Sequence, residues 1–269
     1  MKERIITGAI LVALTLLAIL YLPLTSFSGV LIIVGLIGIS EWRNMLGLTG
    51  TQGSLYLAVS SLVLIGVMSL FFFDLYDLRV ALQPLAFIWL LMPFLMVLHS
   101  RRPIGFLTSK VFLIPFSVIS LLGFVLSLTY LKESGAGHLI AVIFLVAIAD
   151  SGAYFVGRKL GRTKLALSIS PGKTVEGALG GMVLALIYAT IVLMSASYGG
   201  MDLANGLLLT VIVVAVSISG DLFESVVKRH RGIKDSGKLL PGHGGVLDRI
   251  DALTAAAPVV VSGMLLMGL

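Results

Sequence analysis

The chain has 269 residues, of which 58% are hydrophobic and only 12% charged, with a mean hydropathy of +1.10. Soluble domains carry about 25% charged residues, so an integral membrane protein is indicated. The net charge of +6 and the pI near 9.7 fit basic loops between apolar spans better than a nucleic-acid partner, and the absence of cysteine excludes disulfides, thiolate chemistry and cysteine metal sites.

A bilayer-crossing helix needs roughly 20 mostly apolar residues. Nine such stretches are predicted, at 5–22, 27–46, 55–73, 80–98, 111–131, 138–157, 177–197, 203–227 and 249–268. The first has the charged start and apolar run of a signal peptide. It lacks a clear small-x-small cleavage site and further spans follow, so it reads as a retained helix. With nine spans, every lysine and arginine except Arg79 and Lys132 falls on one side of the membrane. That asymmetry predicts an all-α polytopic protein with its N-terminus inside and its C-terminus outside.

Spans one to five, within an N-terminal bundle of residues 1–135, carry almost no buried polarity and read as scaffold and lipid-facing wall. Glu41, Asp74, Asp77 and Glu133 fall near span ends and read as solvated boundary residues. Residues 136–269 differ. Asp150 lies eight positions before Arg158, which places it about 12 Å inside the cytoplasmic end at 1.5 Å per residue. An ionised group there costs about 2.5–3.5 kcal/mol, so it is expected to have a partner and a role. Gly152 and Gly157 beside it, and Gly177 and Gly181 in the next span, permit close helix approach.

The loop at 158–176 contains Gly172-Lys173-Thr174, which is like the end of a phosphate-binding Walker loop. The glycine that such a loop needs at position 167 is leucine here, and no strand precedes it. What remains is a compact turn, Ser170-Pro171-Gly172, presenting Lys173 and Thr174 at a helix N-terminus, where a phosphate or nucleotide would be favoured. Glu176 either caps that helix or reaches the site.

The densest chemistry runs from Gly220 to Asp251, with its cytoplasmic loop at 228–248. Asp221 and Glu224 are three apart, as are Asp248 and Asp251, so each pair shares a helix face. Two such faces meeting would hold divalent cations. Glu224 also precedes Lys228 by four, the spacing of a helix salt bridge. Lys228, Arg229, Arg231, Lys234 and Lys238 follow, and Pro241-Gly242-His243-Gly244-Gly245 then forms a glycine-rich turn feeding a helix N-terminus, an expected anion site. Oxygen ligands with neighbouring phosphate donors point to Mg²⁺, as one ion or two. Such a site suits phosphoryl or nucleotidyl transfer between a soluble polyphosphate and a lipid headgroup.

These residues resemble the phosphatidate cytidylyltransferase (CDP-diacylglycerol synthase) family. The likeness rests on Ser225, Lys228, Arg229, Lys234, Asp235, Gly237, Pro241, His243, Gly244, Gly245, Asp248, Arg249 and Asp251, joined by Ser170-Pro171-x-Lys173-Thr174-x-Glu176-Gly177 and by Asp150 with Gly157-Arg158. It covers the C-terminal half. The resemblance implies CTP and phosphatidate as substrates, CDP-diacylglycerol and pyrophosphate as products, and Mg²⁺ on Asp221 and Asp248, with Asp251, Glu224 and Asp150 as further candidates. Lys173, Lys228, Arg229 and Lys234 are assigned to the phosphates, and His243 to pyrophosphate or to holding the turn. Ser170, Thr174, Glu176, Gly244, Gly245 and Arg249 complete the expected substrate contacts. The expected partners are these substrates and membrane lipids, with a homodimer as candidate assembly and no nucleic acid, in the cytoplasmic membrane. A CTP-dependent lipid kinase and an ion-coupled transporter are the rival readings.

Overall fold

The computed structural model describes residues 2–73, 78–195 and 201–268, with side chains from Ile6 in the first helix and from Leu82 in the fourth. Asp74 and Asp77, and the side chains of Lys2, Arg4 and Arg79, lie outside the described residues. Among the described residues nine helices follow in order: α1 (Lys2–Tyr21), α2 (Leu24–Leu46), α3 (Gly50–Phe72), α4 (Leu78–Arg101), α5 (Lys110–Glu133), α6 (Ala136–Leu160), α7 (Val175–Leu193), α8 (Leu203–Arg231) and α9 (Leu247–Leu266). All but α1 are long and apolar enough to cross a bilayer, and the described apolar part of α1, Ile6–Tyr21, is shorter. The chain is an all-α, multi-pass integral membrane protein.

Glycine ends α2 and α8. Gly47 and Gly232 adopt left-handed φ values of 63° and 74°, and their N–H groups cap the last carbonyls of each helix. The outer faces are apolar, with Leu62 at 72%, Phe94 at 69% and Ile191 at 66% exposed, as a lipid-facing wall requires. Inside, α5, α8 and α9 are the most enclosed. Phe223 on α8 packs edge-on to Phe116 of α5, with ring centres 4.8 Å apart, and Trp89 of α4 meets Phe116 at 5.2 Å. One face of α8 is thereby fixed to the scaffold while the other is left for polar residues.

The glycines expected to allow close helix approach meet each other. A Cβ on Gly181 would lie 2.3 Å from the Ala149 carbonyl oxygen and one on Gly177 2.6 Å from that of Ala153, so α7 lies directly on the backbone of α6. On the other side of α8, a Cβ at Gly220 would lie 2.8 Å from the Asp251 carbonyl oxygen. These contacts bring the acids of α6, α8 and α9 to one level.

Between α6 and α7 the chain forms an antiparallel hairpin, β1 (Lys164–Ala166) and β2 (Ser170–Thr174), with Lys164 opposite Thr174 and Ala166 opposite Ser170. The expected compact turn at Ser170-Pro171-Gly172 is therefore extended strand, and the reversal occurs at 167–169. Ala166 and Ile169 are buried, Lys164 Nζ donates to the Pro171 carbonyl at 2.8 Å, and Ser168 Oγ donates to the Ser100 carbonyl at the end of α4. These local anchors, absent from any helical periodicity, favour the hairpin. At the opposite end of the bundle the Lys132 ammonium donates to the Ile19 carbonyl, joining α5 to α1.

Candidate active site

Four residues on α8 (Asp221, Ser225, Lys228 and Arg229) line one wall of a cavity of about 870 Å³. Their spacing of four, three and one keeps them on one helix face. The facing walls come from Asp150, Tyr154 and Arg158 of α6, Ser170, Lys173 and Thr174 of β2, Lys234 and Asp235 of the following loop, and Asp248, Arg249 and Asp251 of α9. Five aspartates and six basic side chains thus face one volume, in a bundle whose exterior is apolar.

Two lysine–aspartate pairs organise it. Lys173 Nζ lies 2.7 Å from Asp221 Oδ2, with both side chains partly open to the cavity. Lys228 Nζ lies 2.6 Å from Asp248 Oδ1 and 2.9 Å from Glu224 Oε1, and all three side chains are nearly closed off. The second oxygen of Asp248 accepts from Ser236 N–H at 2.9 Å, Ser236 Oγ–H at 3.0 Å and Gly245 N–H at 2.8 Å. A carboxylate with that many donors can be buried beside a lysine.

The profile of the Cytidylyltransferase family matches residues 2–267. A Pseudomonas aeruginosa protein named phosphatidate cytidylyltransferase is 38% identical over 261 residues, covering 96% of this chain and 95% of that protein. Proteins of the same name from Haemophilus influenzae and Bacillus subtilis are 51% identical over 123 residues and 44% identical over 128, covering 45% and 48% of this chain and 43% and 47% of those proteins. The chain belongs to the cytidylyltransferase family. The match extends from α1 to α9, beyond the C-terminal motifs in which the resemblance was visible.

Of the residues singled out in the sequence, Asp150, Asp221, Asp248, Asp251, Ser170, Lys173, Thr174, Lys228, Arg229, Lys234 and Arg249 all line the cavity. Thr174 also caps α7, its hydroxyl accepting from Gly177 N–H at 3.1 Å. Glu224 is absent from the wall, held in the buried triad with Lys228, so the helix salt bridge is the arrangement adopted. Glu176, in the first turn of α7, does not line the cavity. Its carboxylate accepts the Arg162 and Thr163 backbone N–H groups at 3.0 and 3.1 Å and braces the entry to β1. His243 is also absent from the wall, and its ring stands beside Gly8 of α1.

The glycine-rich turn differs from expectation in an informative way. Gly244 has the required left-handed φ of 84°, and a Cβ there would lie 2.7 Å from Asp248 Oδ2. The N–H groups at the start of α9, read as an anion site, are taken by the protein's own carboxylates. Gly245 N–H donates to Asp248, while Val246 and Leu247 N–H donate to Glu41 Oε1 and Oε2, each at 2.8 Å. Glu41 is 4% exposed, so its reading as a solvated boundary residue is overturned. An acid inside an apolar span needs a partner, and that rule, applied to Asp150 in the sequence, would have flagged Glu41 as well. Glu133, read in the same way, is exposed.

For a hard cation the donor set is suitable, with carboxylates facing the cavity from α6, α8 and α9. Among the described residues no three acidic or histidine side chains form a ready-made metal cage.

Proposed function

We propose that the chain transfers the cytidylyl group of CTP to phosphatidate, giving CDP-diacylglycerol and pyrophosphate, on the cytoplasmic side of the inner membrane. The observation that carries this reading is the charged cavity of about 870 Å³ at one end of an apolar bundle. A space of that size accommodates a nucleotide with a lipid headgroup. Its walls combine phosphate-binding cations with cation-binding acids, and a soluble polyphosphate and a membrane lipid can both approach such a boundary. The name shared by the bacterial relatives supports the same substrates. An ion-coupled transporter would be expected to carry its acids near mid-membrane on broken helices, whereas α6, α8 and α9 run unbroken through theirs. The basic loops gathered at the cavity end support the cytoplasmic assignment.

In the reaction a phosphatidate oxygen bonds to the α-phosphorus of CTP, and the bond from that phosphorus to the bridging oxygen breaks, its electron pair leaving with pyrophosphate. The attacking phosphate is already anionic, so no protein nucleophile or general base is required. Arg158, Arg229, Lys234 and Arg249 are exposed on the cavity wall and can hold the polyphosphate and the lipid phosphate in line. Lys173, partly open, can exchange Asp221 for an arriving phosphate, while Lys228 stays with Asp248 and fixes its orientation. Mg²⁺ held by Asp221 and Asp248, with Asp150 and Asp251 close by, would supply charge neutralisation on the phosphate oxygens and on the leaving pyrophosphate.

The test is turnover of purified protein with phosphatidate and each of the four nucleoside triphosphates, with and without Mg²⁺. Cytidine label entering the lipid phase only with CTP and Mg²⁺ is the expected result. Label that stays soluble while the γ-phosphate enters the lipid would establish a kinase instead.

A further inference from the structure

Glu41 joins the N-terminal helices to the reacting end of the chain. It sits near the end of α2, within an apolar span, and its carboxylate is the meeting point of three donors from 195 to 206 residues away. Val246 and Leu247 contribute N–H groups from the start of α9, which have no partner within that helix. Ser236 contributes its hydroxyl at 2.9 Å from Glu41 Oε2. That hydroxyl also lies 3.0 Å from Asp248 Oδ2, and the Ser236 N–H reaches the same Asp248 oxygen at 2.9 Å. Two carboxylates from opposite parts of the chain therefore share one serine, and a single hydroxyl hydrogen serves one of them at a time.

Two glycines around this contact leave the space that the carboxylate and the Ser236 hydroxyl occupy. A Cβ on Gly237 would lie 2.4 Å from Glu41 Oε1, and one on Gly245 would lie 2.6 Å from Oε2 and 2.0 Å from Ser236 Oγ. Both loop segments are thus pressed directly onto the Glu41 carboxylate. Its buried acceptors have no substitute, because Val246 and Leu247 would otherwise leave their N–H groups unmet at a cost to the local fold.

We propose that Glu41 is a positioning residue for Asp248: it fixes the first turn of α9 and the Ser236 hydroxyl, and through them the direction in which Asp248 faces the cavity. The proposal rests on the reading of Asp248 as an acid that works on the substrate side. Losing the carboxylate leaves Arg158, Lys173 and Arg229, on α6, β2 and α8, in place but lets the α9 entry shift, so the effect falls on turnover more than on substrate affinity. A misplacement of about 1 Å can cost on the order of 100-fold in rate.

The experiment compares wild type, Glu41→Ala, Glu41→Gln and Ser236→Ala, each purified and reconstituted in lipid nanodiscs. For each, kcat, the KM for CTP and for phosphatidate, and the Mg²⁺ concentration for half-maximal rate are measured. Amide hydrogen exchange is followed over residues 240–252. For Glu41→Ala the expected result is a fall in kcat of roughly 10- to 100-fold, with KM values within about twofold of wild type, a raised Mg²⁺ requirement and faster exchange at the start of α9. Glu41→Gln, which keeps one carbonyl acceptor, should fall between, and Ser236→Ala should shift kcat in the same direction while leaving the Val246 and Leu247 contacts intact. Wild type without cytidylyl transfer would remove the functional reading itself. Active wild type combined with a Glu41→Ala protein whose kcat merely tracks its folded fraction, with unchanged Mg²⁺ dependence, would overturn the positioning role. If Glu41→Ala does not fold, unchanged kcat and Mg²⁺ dependence in both Glu41→Gln and Ser236→Ala would overturn it equally.

Discussion

The two lysine–aspartate pairs in the cavity have the same chemistry and opposite settings. Lys173 and Asp221 are 2.7 Å apart with side chains 25% and 36% exposed, whereas Lys228 and Asp248 are 2.6 Å apart at 10% and 6%. Water and ions compete for the first pair, so holding it together is worth only about 0.2–1 kcal/mol and either member can change partner. The second pair is shielded, and removing one member leaves an uncompensated buried charge at about 3–5 kcal/mol. One wall of the cavity, where α8 meets α9, is therefore fixed by its charges. The other, where the hairpin leans on α8 through Lys173, can exchange its charges as substrates arrive.

The strongest test of that difference is Lys228→Met. It strands Glu224 and Asp248 together, so the expected outcome is no measurable turnover and a clear drop in the thermal unfolding midpoint in detergent, reflecting about 3–5 kcal/mol. Asp248→Asn and Asp221→Asn then separate the walls. Both should abolish cytidylyl transfer, but only Asp248→Asn should destabilise, because its amide would put a donor against either Lys228 or the donors of Ser236 and Gly245. Asp221→Asn should stay within about 1 kcal/mol of wild type. Equal shifts in midpoint for the two variants would erase the distinction.

The sequence treats those two aspartates alike, which shows where its information ends. The nine helices, their order and the level of their acids follow from hydropathy and spacing, because a bilayer leaves few ways to satisfy a backbone. Asp150, Asp221, Asp248 and Asp251 are legible for a related reason, since a charge inside an apolar segment needs a purpose. Glu41 is the contrary case. Its partners lie more than 190 residues away, and no local pattern joins α2 to the loop before α9. The filling of the glycine turn by carboxylates, the turning of Glu176 onto the β1 entry and the hairpin itself are likewise set by contacts between segments. Periodicity reports which face of a helix is buried, but not which residue it is buried against.

A smaller effect is expected at the exchangeable wall. Lys173→Ala removes one charge-assisted contact, worth about 1.5–3 kcal/mol when its partner is ionised, so kcat/KM for CTP should fall roughly 10- to 100-fold. The unfolding midpoint should hardly move, because Asp221 is already open to the cavity. A midpoint change as large as that of Lys228→Met would mean that the hairpin wall is as fixed as its counterpart.

The smallest effect on chemistry is expected from Lys132, at the far end of the bundle. Its ammonium donates to the Ile19 carbonyl and stands 5.9 Å from the centre of the Phe27 ring, tying α5 to α1 and α2. Lys132→Ala should therefore lower the unfolding midpoint, on the scale of about 1.5–3 kcal/mol for a lost hydrogen bond to a charged group, while kcat and both KM values stay at wild type. The Ile19 carbonyl lies near the end of α1, where helix carbonyls lack partners within the helix, so this lysine contributes to stability through a cap rather than through the cavity. Measuring the midpoint and the rate on the same preparation separates the two contributions. A loss of turnover here would mean that the two ends of the bundle are coupled, and that the fixed wall between α8 and α9 depends on how α5 is seated as well as on its own buried charges.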